Sequence, residues 1–282
     1  MKYTIVLILC LLASPVFAEV YFQDTFSGYA DATAWTNTET WGKTSDTTLE
    51  TSGCYSNKCI KMAYVDDWHE VSRSLGNGYP EGYLGFWAKV TNKQASWPKF
   101  LKFFGTNVPT DYANFTLGVA SYTEARLAQF NFSDSNGPTG DGECRLRWTD
   151  GTINTGDGCV GTVTQSINQA FTFPDENWHH FVVYWKLNTN GNQDGAFGLW
   201  IDGTQYVSAV NVVNRADTNT RGFAQFTFGD YTSSLAVPTW YLWYDDVVIA
   251  STYDEAAAGE APAPTPTGSL RPGVSAAGVT FR

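Results

Sequence analysis

The fold is decided by the stretch from Trp178 to Leu187, WHHFVVYWKL. Side chains of a β-strand project alternately to its two faces, so every second residue belongs to the same face. One set in this stretch is typical of a core: His179, Phe181, Val183, Trp185 and Leu187. The other set is amphipathic and is expected to be more exposed: Trp178, His180, Val182, Tyr184 and Lys186. The pattern therefore predicts a strand with one buried face.

Eight other short stretches, separated by Gly, Asn, Asp and Pro, also have the composition of strands: 20–22, 60–65, 82–90, 100–104, 124–132, 195–202, 222–230 and 240–250. No segment has a clear helical period of 3.6 residues. The 282 residues include 11 Trp, 15 Tyr and 18 Phe, and only 16% are charged, which excludes a disordered chain and a coiled coil. We predict an all-β fold, a two-sheet antiparallel jelly-roll sandwich.

The two ends of the chain differ from the strand-rich middle. Residues 1–18 are typical of a signal peptide, with Lys2 before an apolar run and Val16-Phe17-Ala18 before the cleavage point. That run is too short to span a membrane, so we expect a secreted protein, periplasmic or extracellular, without a membrane span. The jelly roll is predicted over 19–253, and 254–282 is predicted to be an Ala/Pro/Thr-rich tail or linker.

The net charge argues against one class of partner, and the cysteines predict disulfides. Removal of residues 1–18 changes the net charge from −11 to −12, which argues against a nucleic-acid partner. Removal of residues 1–18 also leaves four of the five cysteines, and an even number in an exported chain indicates disulfides. We expect Cys54–Cys59 and Cys144–Cys159, because each pair brackets a segment rich in turn residues. Zinc is the alternative, but the chain has no CxxC spacing and no adjacent histidine to support it.

Alternation also predicts a binding face. Phe197, Phe226 and Phe228 are expected in the core, and the residues that alternate with them across several strands are expected to face outward: Arg126, Tyr184, Lys186, Trp200, Gln225 and Thr227. Aromatic rings cover the apolar face of a sugar, and planar polar groups bond its hydroxyls. The alternative is an ordinary sheet surface covered by a loop.

Six basic residues fall between positions 93 and 147: Lys93, Lys99, Lys102, Arg126, Arg145 and Arg147. A basic stripe on an acidic chain suits an anionic ligand, because guanidinium groups match carboxylates and sulfates. Scattered surface charges are the alternative.

Three segments carry a resemblance to a known family: 178–189, DGAFGLWIDG at 194–203 and WYDDVVIA at 243–250. They resemble the concanavalin-A-like jelly-roll superfamily, nearest to its alginate and glucuronan lyase-like domains. The resemblance implies a concave sheet that holds a polysaccharide, often an acidic one. It implies catalytic candidates for proton abstraction from a uronate, namely Lys102, Arg126, His180 and Tyr184. The outward-facing set and the basic stripe supply the substrate-binding candidates, namely Arg147, Lys186, Trp200 and Gln225.

The sequence departs from this family in its catalytic motifs. The Gln-x-His triplet of alginate lyases is absent, Cys144-Arg145-Leu146-Arg147-Trp148 replaces an expected Tyr-x-Tyr, and the Glu-x-Asp-x-x-Glu of laminarinase-like hydrolases is missing. Fold alone does not give function. The first hypothesis is therefore a carbohydrate-binding protein, with an acidic polysaccharide as the expected partner. The alternatives are an endolytic polysaccharide lyase and a cell-surface structural or adhesion protein.

The resemblance further implies a structural Ca²⁺ between the first and last strands. The matching oxygen donors are the carboxylates of Asp24, Asp245 and Asp246 and the carbonyl of Gly53. The alternative is that these aspartates cap strand ends.

Overall fold

The computed structural model describes residues 18–30, 41–43, 47–64, 68–91, 99–105, 114–120, 126–133, 143–149, 152–155, 162–164, 176–189, 192–212, 222–231 and 240–258. These residues form the strands β1 (Val20–Asp24), β2 (Trp41–Lys43), β3 (Thr47–Glu50), β4 (Cys59–Tyr64), β5 (Trp68–Tyr79), β6 (Glu81–Thr91), β7 (Lys99–Gly105), β8 (Asn114–Ala120), β9 (Arg126–Ser133), β10 (Glu143–Thr149), β11 (Thr152–Thr155), β12 (Thr162–Thr164), β13 (His179–Lys186), β14 (Gly195–Ile201), β15 (Thr204–Val212), β16 (Phe223–Tyr231) and β17 (Trp240–Ala250). They also form the short helix α1 (Tyr253–Ala257). The predicted signal peptide lies almost wholly outside these ranges, as does most of the predicted tail.

The strands form two sheets. Sheet I has the order β12-β15-β14-β13-β6-β17-β4-β3, and β1 pairs with the second half of β17. Sheet II has the order β11-β10-β9-β8-β7-β16-β5-β2. Neighbouring strands are antiparallel, as in the central pairs β6–β13 and β7–β16. The predicted two-sheet antiparallel jelly-roll sandwich is confirmed.

The core lies between the sheets and is aromatic. Phe228 of sheet II stacks on Tyr244 of sheet I with ring centroids 4.1 Å apart, and its ring lies 5.2 Å from that of Phe86. Phe86 stacks in turn on Phe181, at 5.4 Å. All four side chains are fully buried. Since burial of one large apolar side chain contributes roughly 1.5–3 kcal/mol, this cluster holds the two sheets together.

The predicted faces of the strands are largely confirmed. Phe181, Val183, Trp185 and Leu187 lie in the core, as do Phe197, Leu199, Ile201, Phe226 and Phe228. The other face of β13 is less exposed than predicted, because Val182 is 1% exposed and His180 is 8% exposed. A second apolar cluster covers Val182, so this face is not an open surface at that point.

That second cluster is closed by helix α1. The helix begins at the N-cap Thr252, in the Thr-x-x-Glu sequence typical of a capping box: the Thr252 hydroxyl accepts from the Glu255 N–H and donates to the Glu255 carboxylate at 3.1 Å. Ala256 is fully buried, and its carbonyl lies against Gly85 of β6. The packed fold thus continues past the predicted boundary at Tyr253. Among the described residues, no helix has the length and apolar character needed to cross a bilayer.

Candidate functional site

The structure separates the predicted site residues into two groups. His180, Tyr184, Lys186 and Trp200 lie on β13 and β14 of sheet I. Lys102, Arg126, Arg147 and Gln225 lie on β7, β9, β10 and β16 of sheet II. The expectation of one common face for Arg126, Tyr184, Lys186, Trp200, Gln225 and Thr227 is corrected: alternation along a strand assigns a face but cannot say which sheet the strand joins.

A continuous polar row crosses six neighbouring strands of sheet II. Residues directly opposite each other in an antiparallel pair lie on the same face. The ladder register aligns Ser72, Thr227, Lys102, Thr116, Asn131 and Arg145 in one line across β5, β16, β7, β8, β9 and β10. A second, shorter line next to it contains Gly118, Gln129, Arg147 and Asn154. Three basic positions, Lys102, Arg145 and Arg147, are thereby brought to one face.

This polar row belongs to the outer face of sheet II. Leu101 and Phe228 are opposite each other, fully buried and part of the core, so their neighbours Lys102 and Thr227 occupy the opposite face. The Gln225 amide lies 3.4 Å from the Thr227 hydroxyl, as expected for residues that share a face. Thr227 is nevertheless fully buried, so neighbouring groups shield the middle of this face from solvent.

Arg126 extends the same face beyond the row. It pairs with Ala120, after a register shift between Gly118 and Val119. Because Gly118 and Ala120 are two positions apart on β8, both belong to the face that carries the row. Four predicted residues of sheet II therefore share its outer face: Lys102, Arg126, Arg147 and Gln225.

The sequence prediction included Thr227 but missed four other neutral residues of the two lines, namely Ser72, Thr116, Gln129 and Asn131. A local signal for three of them exists, since β8 (NFTLGVA) and β9 (RLAQFNFS) alternate polar residues with Phe and Leu. Their alignment with Lys102 comes only from the pairing of strands.

Tyr184 and Trp200 have a different environment, among aromatic rings on the outer face of sheet I. The Tyr83 ring stacks on that of Tyr184 with centroids 4.6 Å apart, and the Trp200 ring lies 5.1 Å from that of Tyr253. The Tyr184 hydroxyl donates to the Glu81 carboxylate at 2.8 Å. Burial, and then this bond, raise the pKa of Tyr184 well above its usual value. Both residues thus belong to the packing of sheet I.

His180 is buried on the same outer face of sheet I. Its ring lies 4.9 Å from that of Trp87, and its backbone N–H donates to the Asp202 carboxylate at 2.9 Å. Burial lowers the pKa of His180 to about 4, so the imidazole is neutral at neutral pH. A neutral imidazole is a competent base, but this one lies on the sheet opposite the basic row. His179, at the strand end, is held by Asp202, with Nδ1 and the carboxylate oxygen 2.6 Å apart.

The Cys54–Cys59 disulfide is confirmed. It closes the turn that carries Tyr55 and Ser56. The Tyr55 ring stacks on that of Trp87 with centroids 3.6 Å apart. Ser56 donates to the Asp245 carboxylate through its backbone N–H at 2.8 Å and through its hydroxyl at 3.0 Å. Burial raises the pKa of Asp245 to about 6, although these hydrogen bonds oppose that shift. The side chain of Cys144 and the whole of Cys159 lie outside the described part of the structure, so their pairing remains a prediction.

The four calcium candidates do not fit a single site. The Gly53 carbonyl accepts from the Lys89 ammonium at 2.7 Å and from the Trp178 indole at 3.2 Å, so a neighbouring positive charge already occupies it. Asp24 pairs with the core residue Val247, whereas Asp245 pairs with Trp87 on the outer face. Each Asp24 oxygen accepts one hydrogen bond at 2.7 Å, from the Phe26 N–H and the Tyr29 hydroxyl. The first and last strands do pair, but Gly53 and Asp245 cannot join Asp24 around one ion. That a structural Ca²⁺ is bound, with Asp24 or Asp246 as a ligand, remains a prediction.

Comparisons with known proteins identify the fold. No family model matches the sequence, and no curated protein matches it. Among solved structures, the endo-β-1,4-glucuronan lyase of the fungus Trichoderma reesei is similar with a TM-score of 0.53 and 14% identity, over 84% of this chain and 98% of the lyase. The alginate lyase Aly36B has a TM-score of 0.56 and 15% identity, over 81% of this chain and 95% of that one. The cellulose-induced protein Cip1 has a TM-score of 0.50 and 16% identity, over 82% of this chain and 97% of Cip1. The chain therefore has the jelly-roll fold that these polysaccharide lyases share.

Proposed function

We propose that the protein binds an acidic polysaccharide along the outer face of sheet II. The observation that carries this proposal is the register that aligns Lys102, Asn131 and Arg145 across the sheet, with Arg147 one line away. Strands lie about 4.8 Å apart, so the four strands from β7 to β10, beyond the buried Thr227, give a row of roughly 14 Å, long enough for more than one sugar residue.

The residue types in the row match the chemistry of a uronate chain. Lysine and arginine bind carboxylates, and arginine does so with two parallel hydrogen bonds. Hydroxyl and amide groups such as those of Thr116, Gln129 and Asn131 bond sugar hydroxyls. The chain as a whole has a net charge of −11, so attraction of an anionic ligand depends on this local set of basic residues.

The structural neighbours support a polysaccharide ligand. One is a glucuronan lyase and another an alginate lyase, and a variant of the latter, with a TM-score of 0.54 to this chain, was solved with an alginate trisaccharide. Glucuronan and alginate are the first polymers to test here.

A lyase reaction is the second candidate, favoured by the position of Lys102 within the row. In such a reaction a base removes the proton at C5 of the uronate, a C4–C5 double bond forms, and the C4–oxygen bond to the next sugar breaks as an acid, either the protonated base or water, gives a proton to the departing oxygen. A basic group must meanwhile neutralise the carboxylate. Lys102 is the candidate for proton transfer, and Arg126 and Arg147 are candidates for the carboxylate. Tyr184 and His180, on sheet I, are not proposed for this reaction.

The test compares binding and turnover on a panel of polysaccharides. Affinity electrophoresis in gels containing alginate, glucuronan or a neutral β-glucan measures binding, and ultraviolet absorbance of the unsaturated uronate measures cleavage. We expect retardation by the acidic polymers alone, weakened in Lys102→Ala and Arg147→Ala. Lys186→Ala removes a lysine from sheet I and is the matched control, which should bind like the wild type. Equal retardation of wild type and Lys102→Ala would contradict the proposal.

A further inference from the structure

A second row of basic and aromatic side chains crosses the outer face of sheet I. It contains Lys61 on β4, Trp243 on β17, Lys89 on β6 and Trp178 just before β13, with Tyr241 beside Lys61. Trp243 is opposite both lysines in the ladder register. The row crosses four neighbouring strands, a span of roughly 14 Å.

Rings and ammonium groups alternate in this row. The Lys89 ammonium lies 4.8 Å from the Trp178 ring centre and 4.6 Å from that of Trp243. The Lys61 ammonium lies 4.9 Å from the Trp243 ring and 4.3 Å from that of Tyr241. These distances are within the range of cation–π attraction, so each lysine is held in place between two rings.

Hydrogen bonds fix the two indoles. The Trp243 indole donates to the Thr91 hydroxyl at 3.0 Å. The Trp178 indole donates to the Gly53 carbonyl at 3.2 Å, in the turn closed by the disulfide. Rings that are already ordered lose little conformational freedom when a ligand binds.

The charges of this row are not neutralised within the described part of the protein. There, no carboxylate lies within salt-bridge distance of the Lys61 or Lys89 ammonium. All five side chains of this row are partly exposed. In a chain with 28 acidic residues, the Lys61 ammonium thus has two rings as its partners, and the Lys89 ammonium has two rings and the Gly53 carbonyl.

We propose that this row is a second binding surface for an acidic polysaccharide, on the face of the sandwich opposite sheet II. Ammonium groups suit uronate carboxylates, and the exposed parts of the indole and phenol rings suit the C–H faces of the sugar rings. The inference takes its ligand class from the proposed function, but it rests on different residues. It gives the protein two surfaces for one polymer, so that one protein molecule holds two segments of it.

The test is the stoichiometry of binding, measured by isothermal titration with an alginate oligosaccharide and with a glucuronan oligosaccharide. We expect two sites in the wild type and one in Trp243→Ala. Because Trp243→Ala removes a packed ring, the variant Lys61→Gln/Lys89→Gln tests the same site with the aromatic rings intact. It should weaken that site about tenfold and reduce its dependence on salt. Lys58→Gln, at a lysine that belongs to neither row, is the matched control and should retain both sites.

Lys102→Ala separates this inference from the proposed function. If Lys102→Ala retains one site that Trp243→Ala removes, both proposals stand. If Lys102→Ala retains every site of the wild type while Trp243→Ala loses one, the sheet I surface stands and the sheet II proposal fails. The inference is overturned if neither Trp243→Ala nor Lys61→Gln/Lys89→Gln changes the binding of either oligosaccharide.

Discussion

Replacement of Gly85 by alanine tests the packing of helix α1 on sheet I. A Cβ atom at Gly85 would lie 1.9 Å from the Ala256 carbonyl oxygen and 2.8 Å from its carbonyl carbon. Both are backbone atoms of the helix, so no side-chain rotation relieves the clash. The helix must shift away from β6 or leave the sheet.

The expected cost follows from the size of that shift. Ordinary van der Waals contact begins at 3.4 Å, so the carbonyl would have to move by about 1.5 Å. Ala256 and Val248 are buried in the cluster beneath the helix, and such a movement would open it to water. Overpacking of a well-packed site costs roughly 1–3 kcal/mol, and we expect about 2 kcal/mol for Gly85→Ala. That value corresponds to a fall of roughly 4–8 °C in Tm.

The assay is urea and thermal unfolding of Gly85→Ala beside Gly28→Ala. No atom lies within 4 Å of a Cβ at Gly28, and its φ is outside the left-handed region, so this control carries the same change in the unfolded chain without the clash. We expect Gly28→Ala to match the wild type within about 0.5 kcal/mol. If Gly85→Ala were as stable as Gly28→Ala, helix α1 would not pack here, and Tyr184 and Trp200 would again be candidates for an open surface.

Three further predictions concern sheet I and its disulfide. The His180 pKa is lowered to about 4 from 6.5, so the wild type should lose stability as pH falls from 6.5 to 4, by up to about 3 kcal/mol more than His180→Gln in urea titrations at each pH. If the free energy of unfolding fell equally with pH in the wild type and His180→Gln, a buried neutral imidazole would be refuted. Tyr184→Phe loses only its bond to Glu81, so stability should fall by about 1 kcal/mol or less and any binding or cleavage of acidic polysaccharide should persist. Loss of that activity would contradict the position assigned to Tyr184. Removal of the Cys54–Cys59 disulfide, which closes a short loop, should lower the free energy of unfolding by about 2 kcal/mol, and an unchanged urea midpoint in Cys54→Ser/Cys59→Ser would contradict this.

The faces of the strands could be predicted from the sequence, because they depend on local alternation. Phe197 and Trp200 lie on different faces of β14, and Phe226 and Gln225 lie on different faces of β16, as the pattern indicates. The assignment of strands to sheets could not be predicted in this way. β13 and β14 pair with β6 and β15, whereas β16 pairs with β5 and β7, and such long-range pairing leaves no mark in a single strand.

Some elements were missed because their residues are typical of other structures. β5 (WHEVSRSLGNGY) contains Gly76 and Gly78, both with positive φ, which from sequence favour a turn. It is a strand because β16 pairs with it, and Gly78 lies so close to the Phe223 carbonyl that a Cβ would be 2.6 Å away. Helix α1 is too short for a helical period to be visible. Its capping-box sequence, from Thr252 to Glu255, is the local signal that would have found it.

The central claim, that the outer face of sheet II holds an acidic polysaccharide, is tested most directly by calorimetric titration of a glucuronan or alginate oligosaccharide into the wild type and Lys102→Ala. The account predicts that binding to the wild type weakens with added salt, because exposed charges contribute to it. It also predicts that Lys102→Ala raises the Kd of the sheet II site by at least about tenfold. Identical Kd values and stoichiometry for both proteins at low salt would contradict the claim.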